Sequence, residues 1–202
     1  MDSAKEIRKL RKKIEKVQDA KRFEHTLGVE YTAAALAMCY GASVEDARLA
    51  GLLHDCAKCL TDEKRLSICK KNDIPVTEIE MRNPFLLHAK VGAFLAKEKY
   101  GVGKQDILNA ILYHTTGHEN MSLLEKIIFV ADYIEPGRKQ APNLLEIRKL
   151  AFQNLDNAML QILEDTLKYL QSGGGETDPM TEITWRYYKE KREEERRVYG
   201  KQ

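Results

Sequence analysis

Apolar residues recur at helical spacing along almost the whole chain, and no alternating apolar–polar run of useful length suggests a strand. Ile7, Leu10, Ile14 and Val17 form one stripe, opened by a Ser3/Glu6 capping box. A second helix is expected from about Arg22 to Tyr40, stopped by Gly41. Ser43 caps a third, which carries Val44, Ala47, Ala50, Gly51, Leu52 and Leu53 and ends near Lys58. Thr61 caps a fourth, through about Lys71. Asn83-Pro84 starts another, through about Tyr100, and Gly101 and Gly103 separate it from a helix ending near His114. TTGHENMS reads as a loop, after which Ser122 opens LLEKIIFVADYI and Pro136-Gly137 terminates it. One long amphipathic helix is expected from about Leu144 to Leu170. Gly173, Gly174 and Gly175 break the pattern, and a last helix follows Pro179. The fold class is therefore all-α, a single-domain bundle of about nine helices whose first and last act as covers.

With 202 residues, 43% of them hydrophobic, the chain can bury one substantial core. Its 33 basic and 31 acidic residues leave a net charge of +2, which argues against a broad nucleic-acid or membrane surface. No apolar run approaches the roughly 18 residues of a membrane span. The opening MDSAKEIRKLRKKIEK is charged throughout, unlike a secretory signal. Cys39, Cys56, Cys59 and Cys69 then read as free thiols in a cytoplasmic protein. Cys56-x-x-Cys59 has no second pair to complete a zinc site and overlaps the end of the third helix, so a structural reading outweighs a redox one. The run KEKREEERR mixes signs and reads as a solvated helix face.

Against that background, the charged residues inside apolar segments stand out. His54-Asp55 follows LAGLL, and Asp132 lies within IIFVADYI. A carboxylate in such a place is costly unless a cation or several donors meet it. Taken singly, each buried His or Asp is a hydrogen-bonded core residue. The same oddity recurs at His25, His88 and His114, however, and imidazole with carboxylate suits a divalent transition metal. Several helices can each project one ligand to a common point. On residue types alone, core packing and a shared metal site both stand.

The order His, His-Asp, His, His, Asp across helices resembles the HD-domain phosphohydrolase superfamily. The segments RFEHTLGVEYTAAALA, AGLLHDCAKCLTDE, NPFLLHAKVGAFLA and AILYHTTGHENMSLLEKIIFVADYIEPGR look like one bacterial branch of it, the YqeK-type proteins. The likeness covers roughly residues 22 to 140 and, more weakly, runs to about 172. An HD pair alone is weak evidence, but YHTTG and ADYIEPGR in order are strong. The resemblance implies symmetrical hydrolysis of dinucleoside tetraphosphates, such as diadenosine tetraphosphate, to two nucleoside diphosphates. It implies iron held by His25, His54, Asp55 and Asp132. His54, Asp55, His88 and His114 then carry the catalysis, with His88 and His114 holding a second metal or contacting phosphate. It divides the chain into a covering helix at 1–20, the hydrolase domain at 21–172 and a charged tail at 173–202. Near its end the chain departs from the branch: Pro179 and Thr181 remain, but Thr184 and Arg186 stand where Ala and Asn are expected.

Imidazole and carboxylate also fit manganese, cobalt, nickel or zinc. A tetraphosphate chain needs its charge neutralised. Lys58, four residues after His54 on one expected helix face, and Arg138, just past Pro136-Gly137, are candidates to grip phosphate. Thr115 and Thr116 offer hydroxyls beside His114 or simply end a helix, and His118 is expected to face solvent. Two rivals stand beside this reading: hydrolysis of another nucleotide, and an idle helical module that binds a nucleotide, RNA or protein. Trp185, Tyr187 and the first helix either cover the core or form a homodimer face.

Overall fold

The computed structural model describes the backbone of residues 3–172 and 178–199. Among them are eleven α-helices, one 3-10 turn and no strand, so the chain is all-α. The first helix, α1 (Ser3–Glu15), lays Ile7 and Ile14 into the core. It ends before Val17, which is exposed rather than part of the stripe. The side chain of Ser3 lies outside the described residues, so the expected capping box does too.

Helix α2 (Ala20–Tyr40) starts two residues earlier than its apolar pattern suggests, because Asp19 caps it by accepting from the Arg22 backbone N–H. Its buried face carries Val29, Ala33, Leu36 and Ala37, and Gly41, at φ 71°, ends it in the left-handed conformation. Helix α3 (Val44–Leu53) begins at the Ser43 cap and packs on α2. A Cβ at Gly51 would lie 3.0 Å from the Glu30 backbone, so the two helices approach as closely as glycine permits. The helix stops at Leu53, and residues 54–59 are turns rather than the expected continuation to Lys58.

Thr61 caps α4 (Asp62–Lys71) as expected. A short helix, α5 (Glu78–Arg82), follows, held by a Thr77/Glu80 capping box that the apolar pattern alone does not reveal. Pro84–Leu87 forms the 3-10 turn, and α6 (His88–Glu98) then starts with a histidine. Helix α7 (Gln105–Leu112) ends just short of His114. Helix α8 (Leu123–Ile134) opens on a complete Ser122/Glu125 capping box. It runs through the centre of the bundle, burying Ile127, Ile128, Phe129, Val130 and Ala131 against α2, α3 and α7.

The single long helix expected after Leu144 is two, α9 (Leu144–Ala151) and α10 (Leu155–Ser172). Asn154 breaks the run because its side chain accepts from the Asn157 N–H and starts α10 as a new helix. The Gly173–Gly175 break lies outside the described residues. Helix α11 (Pro179–Tyr199) packs on α10. Trp185 and Tyr187 are partly buried and packed against the core. The tail also reaches further. The Tyr188 hydroxyl accepts the Met121 N–H at 2.7 Å, and buried Thr184 fills the space over Gly117. No described helix is long and apolar enough to cross a membrane.

Candidate metal centre

Four helix ends and one helix interior deliver the site. His25 projects from the second turn of α2. His54 is the C-cap of α3, with Asp55 next in the turn. His88 opens α6, His114 sits in the turn after α7, and Asp132 lies in the last turn of α8. His54, Asp55, His88 and His114 are buried, and His25 and Asp132 are half-buried.

The imidazoles share one orientation. Nδ1 of His54, His88 and His114 stands 2.7 Å from the backbone carbonyl three residues earlier, Gly51, Phe85 and Ile111 respectively. A carbonyl only accepts, so each Nδ1 carries the proton and each Nε2 presents a lone pair. His25 lies inside a helix, where backbone carbonyls are committed to the helical ladder, and its Nδ1 meets Glu135 Oε1 at 3.1 Å. All four Nε2 atoms converge on Asp55. His25 and His54 stand 4.0 and 3.5 Å from Asp55 Oδ2, and His88 and His114 stand 3.6 and 3.5 Å from Oδ1. Asp132 Oδ1 lies 3.1 Å from His25 Nε2 and 3.9 Å from His54 Nε2.

Buried polar atoms normally have hydrogen-bond partners. Here His25 Nε2, His54 Nε2 and Asp55 Oδ1 are buried without one. The approach of His25 to Asp132 is close but not aligned as a hydrogen bond. Three overlapping trios, His25/His54/Asp55, His54/His114/Asp132 and Asp55/His88/His114, each keep their ligand atoms within 4.8 Å of one another and can hold a metal ion. The donor set and the orphaned lone pairs fit a divalent cation.

Electrostatics agree. Burial pushes His54 down to about 4 against the pull of Asp55 and Asp132. Burial, reinforced by Lys58 and His114, pushes His88 down to about 3. Both are therefore neutral, as ligands must be. For His25 burial works downward too, but Asp132 and Glu135 outweigh it and the shift is upward. Burial opposes ionisation of Asp55 and Asp132, yet the cations beside them, Lys58 at Asp55 and Arg138 at Asp132, favour the charged forms, and both are held below the usual carboxylate range.

Cations stand on two sides of Asp55. On the Oδ1 side, Lys58 Nζ lies 2.8 Å from His88 Nε2 and 3.7 Å from Oδ1, over the Phe85 ring. Lys58 reaches the cluster through a turn, not along the helix face expected from its spacing. On the Oδ2 side, Arg22 Nη1 donates to Asp55 at 2.9 Å, and Arg138 Nη2 donates to Asp132 Oδ1 at 3.0 Å. A groove of about 670 Å³ opens from that side, lined by His25, Lys21, Arg22, Glu135, Arg138 and Lys139.

Arg22 and Glu135 were not singled out from the sequence. Arg22 precedes His25 by one helical turn, and Glu135 is a second carboxylate ending the apolar run that holds Asp132, which was the available signal. Thr115 is half-buried in the turn after His114, and the Thr116 hydroxyl donates to the Gly117 carbonyl. His118 is not free in solvent: it pairs with Glu125 at 2.8 Å and lies tilted against the Tyr113 ring, away from the cluster. Cys56 is buried beside the Gly92 carbonyl while Cys59 is exposed near Asp19, and all four cysteines are free, so the CxxC spacing forms no pair.

A family profile for the HD domain matches residues 22–137. The chain is 41% identical over 166 residues to a protein of Bacillus subtilis (strain 168) named bis(5'-nucleosyl)-tetraphosphatase, symmetrical, covering 82% of this chain and 88% of that one. A protein of Halalkalibacterium halodurans with the same name is 42% identical over 149 residues, covering 74% of this chain and 79% of its own. A crystal structure from Clostridium acetobutylicum, described as a predicted HD superfamily hydrolase involved in NAD metabolism, superposes with a TM-score of 0.87. It is 42% identical and covers 91% of this chain and 96% of its own.

Proposed function

The chain belongs to the HD-domain family, and from that premise we propose that it hydrolyses dinucleoside tetraphosphates symmetrically to two nucleoside diphosphates. The observation that carries the reading is the set of orphaned lone pairs on His25, His54 and Asp55, beside Asp132 and between Lys58 on one side and Arg22 with Arg138 on the other. We assign His25, His54, Asp55 and Asp132 as ligands of one divalent ion, iron in the first instance and manganese as the alternative. Such an ion, when bound, polarises a phosphoryl oxygen and lowers the pKa of water. In the trio Asp55/His88/His114 the Lys58 ammonium takes up the His88 lone pair, which favours a phosphate-binding cation over a second metal there.

The protein's own groups then select the bond. Asp55 separates Lys58, with His88 and His114, from Arg22 and Arg138. A tetraphosphate chain gripped by cations on both sides centres its middle bridge over the cluster. The groove beyond Arg22 and Arg138, with Lys21 and Lys139 on its walls, receives one nucleoside diphosphate half. We assign the other half to the Lys58 side, with His114 and Thr115 as its contacts. Water adds across the central P–O–P bridge, and one half leaves as a nucleoside diphosphate, a good leaving group that needs no strong acid. We place this chemistry in residues 21–172, with α1 and α11 as covers. The free thiols support a cytoplasmic setting.

The test is product chromatography after short incubation of iron-loaded protein with diadenosine tetraphosphate. ADP as the sole product supports symmetrical cleavage, and equal ATP and AMP overturns it.

A further inference from the structure

Three of the four inward-facing histidines are fixed by a backbone carbonyl, which any residue could supply. His25 alone is fixed by a carboxylate side chain. That carboxylate, Glu135, is only 3% exposed, although it caps the C-terminus of α8 and forms no ion pair with Lys or Arg at 4 Å or less among the described residues. Both of its oxygens are engaged. Oε1 faces His25 Nδ1, and Oε2 accepts the Gly137 N–H. Gly28, one turn after His25 on α2, leaves the room: a Cβ there would lie 2.5 Å from Glu135 Oε2. The Glu135 backbone carbonyl in turn accepts from the Arg138 N–H at 3.1 Å and from Arg148 Nη2 at 2.7 Å.

We infer that Glu135 is the positioning residue of the metal centre: it fixes His25 with Nδ1 protonated and Nε2 free, and ties that ligand to the turn carrying Arg138. The inference rests on the reading of His25 as a ligand. A carboxylate behind an imidazole selects the tautomer and makes the ring a stronger donor than a neutral carbonyl would, so Glu135 contributes charge as well as geometry. A glutamine could satisfy His25 Nδ1 through its carbonyl oxygen. Its amide NH₂ would then confront the Gly137 N–H, donor against donor. One partner is lost whichever way the amide turns.

The test uses cobalt(II) with the full chain. Glu135→Gln should weaken cobalt binding about 10- to 100-fold in chelator competition and shift the cobalt absorption bands, with helical content retained. In a His25→Ala background the same change should have no further effect on cobalt affinity, because the ligand through which Glu135 acts is gone. Equal loss in both backgrounds would make Glu135 a merely structural residue and overturn the inference. Wild-type cobalt affinity in Glu135→Gln would do the same while leaving the metal site standing. A wild-type protein that binds no cobalt would overturn the metal-site reading itself. Should Glu135→Gln not fold, histidine nitrogen NMR of the metal-free wild type decides. A protonated Nδ1 on His25, hydrogen-bonded to an acceptor, is expected, and an unprotonated Nδ1 overturns the assignment.

Discussion

Arg22 Nη1 stands 2.9 Å from Asp55 Oδ2, on the side of that carboxylate facing away from Lys58. The arginine therefore neutralises a buried ligand carboxylate while keeping part of its fork open to the groove, since a third of its side chain is exposed. Arg22→Ala should lower turnover of dinucleoside tetraphosphate about 10- to 100-fold, the effect of losing a hydrogen bond to a charged group. Metal content should remain, because a guanidinium has no lone pair to coordinate. Arg22→Lys should recover only part of the loss. Steady-state kinetics with elemental analysis of each variant checks this, and loss of metal in Arg22→Ala would recast Arg22 as a structural partner of Asp55.

Asp132 offers a sharper test of the metal assignment. Asp132→Ala should strip bound metal while leaving helical content in place, since Asp132 stands in the last turn of α8 and is half-buried beside the cluster. In the wild type, metal at a thousandfold excess over its dissociation constant should add about 4 kcal/mol of stability. The melting temperature should therefore rise with metal in the wild type and stay fixed in the variant. A variant that keeps full metal occupancy would remove Asp132 from the site.

Much of this was legible before any coordinates. LAGLLHD and IIFVADYI place three titratable groups where apolar residues belong, and that anomaly is local in sequence. Helix starts at Ser43, Thr61 and Ser122 were equally legible, because a cap is a short-range device. Arg22 and Glu135 were not, because their partners Asp55 and His25 lie 33 and 110 residues away. The break at Asn154 was hidden for another reason: apolar periodicity continues across it, and only the side chain's turn back to the Asn157 N–H separates two helices.

Tyr188 gives the C-terminal helix a measurable task. Its hydroxyl satisfies the buried Met121 N–H at the end of the loop that begins with His114. Tyr188→Phe leaves that donor unpaired, at a cost of about 1–3 kcal/mol. For a chain of this size the melting temperature should fall by roughly 2–4 °C per kcal/mol. Activity should fall with it, through the His114 loop. An unchanged melting temperature would show that α11 does not hold the loop.

The thiols should prove structural. Cys56 is buried and pushed up to about 12 by that burial, the opposite of what a reactive thiolate needs. Replacing Cys56 and Cys59 together with Ala should leave activity near wild type under reducing conditions. Loss of activity with the fold intact would reopen a redox or zinc role.

The last prediction follows from the neutral histidines, in metal-free protein. His54 and His88 sit at about 4 and about 3 when folded and near 6.5 when unfolded. Below pH 6.5 the unfolded chain therefore binds protons that the folded chain refuses. Depressed values of this kind contribute stability that is present above the unfolded pKa and lost as pH falls through the folded one. His25 is shifted the other way, so its contribution is present below 6.5 and is lost only on the alkaline side. Asp55 and Asp132, held low, lose theirs only below the ordinary carboxylate range. Between pH 6.5 and about 4 the two depressed histidines therefore govern the slope. Each proton is worth about 1.4 kcal/mol per pH unit. Urea unfolding of chelator-treated protein should show stability falling by a few kcal/mol between pH 6.5 and 5, on the order of two protons' worth. His88→Asn should remove about half of that slope, because one of the two refused protons is gone. A flat profile across this window would mean that the histidines are already charged in the folded protein, and that the cluster is not preset in its metal-accepting form.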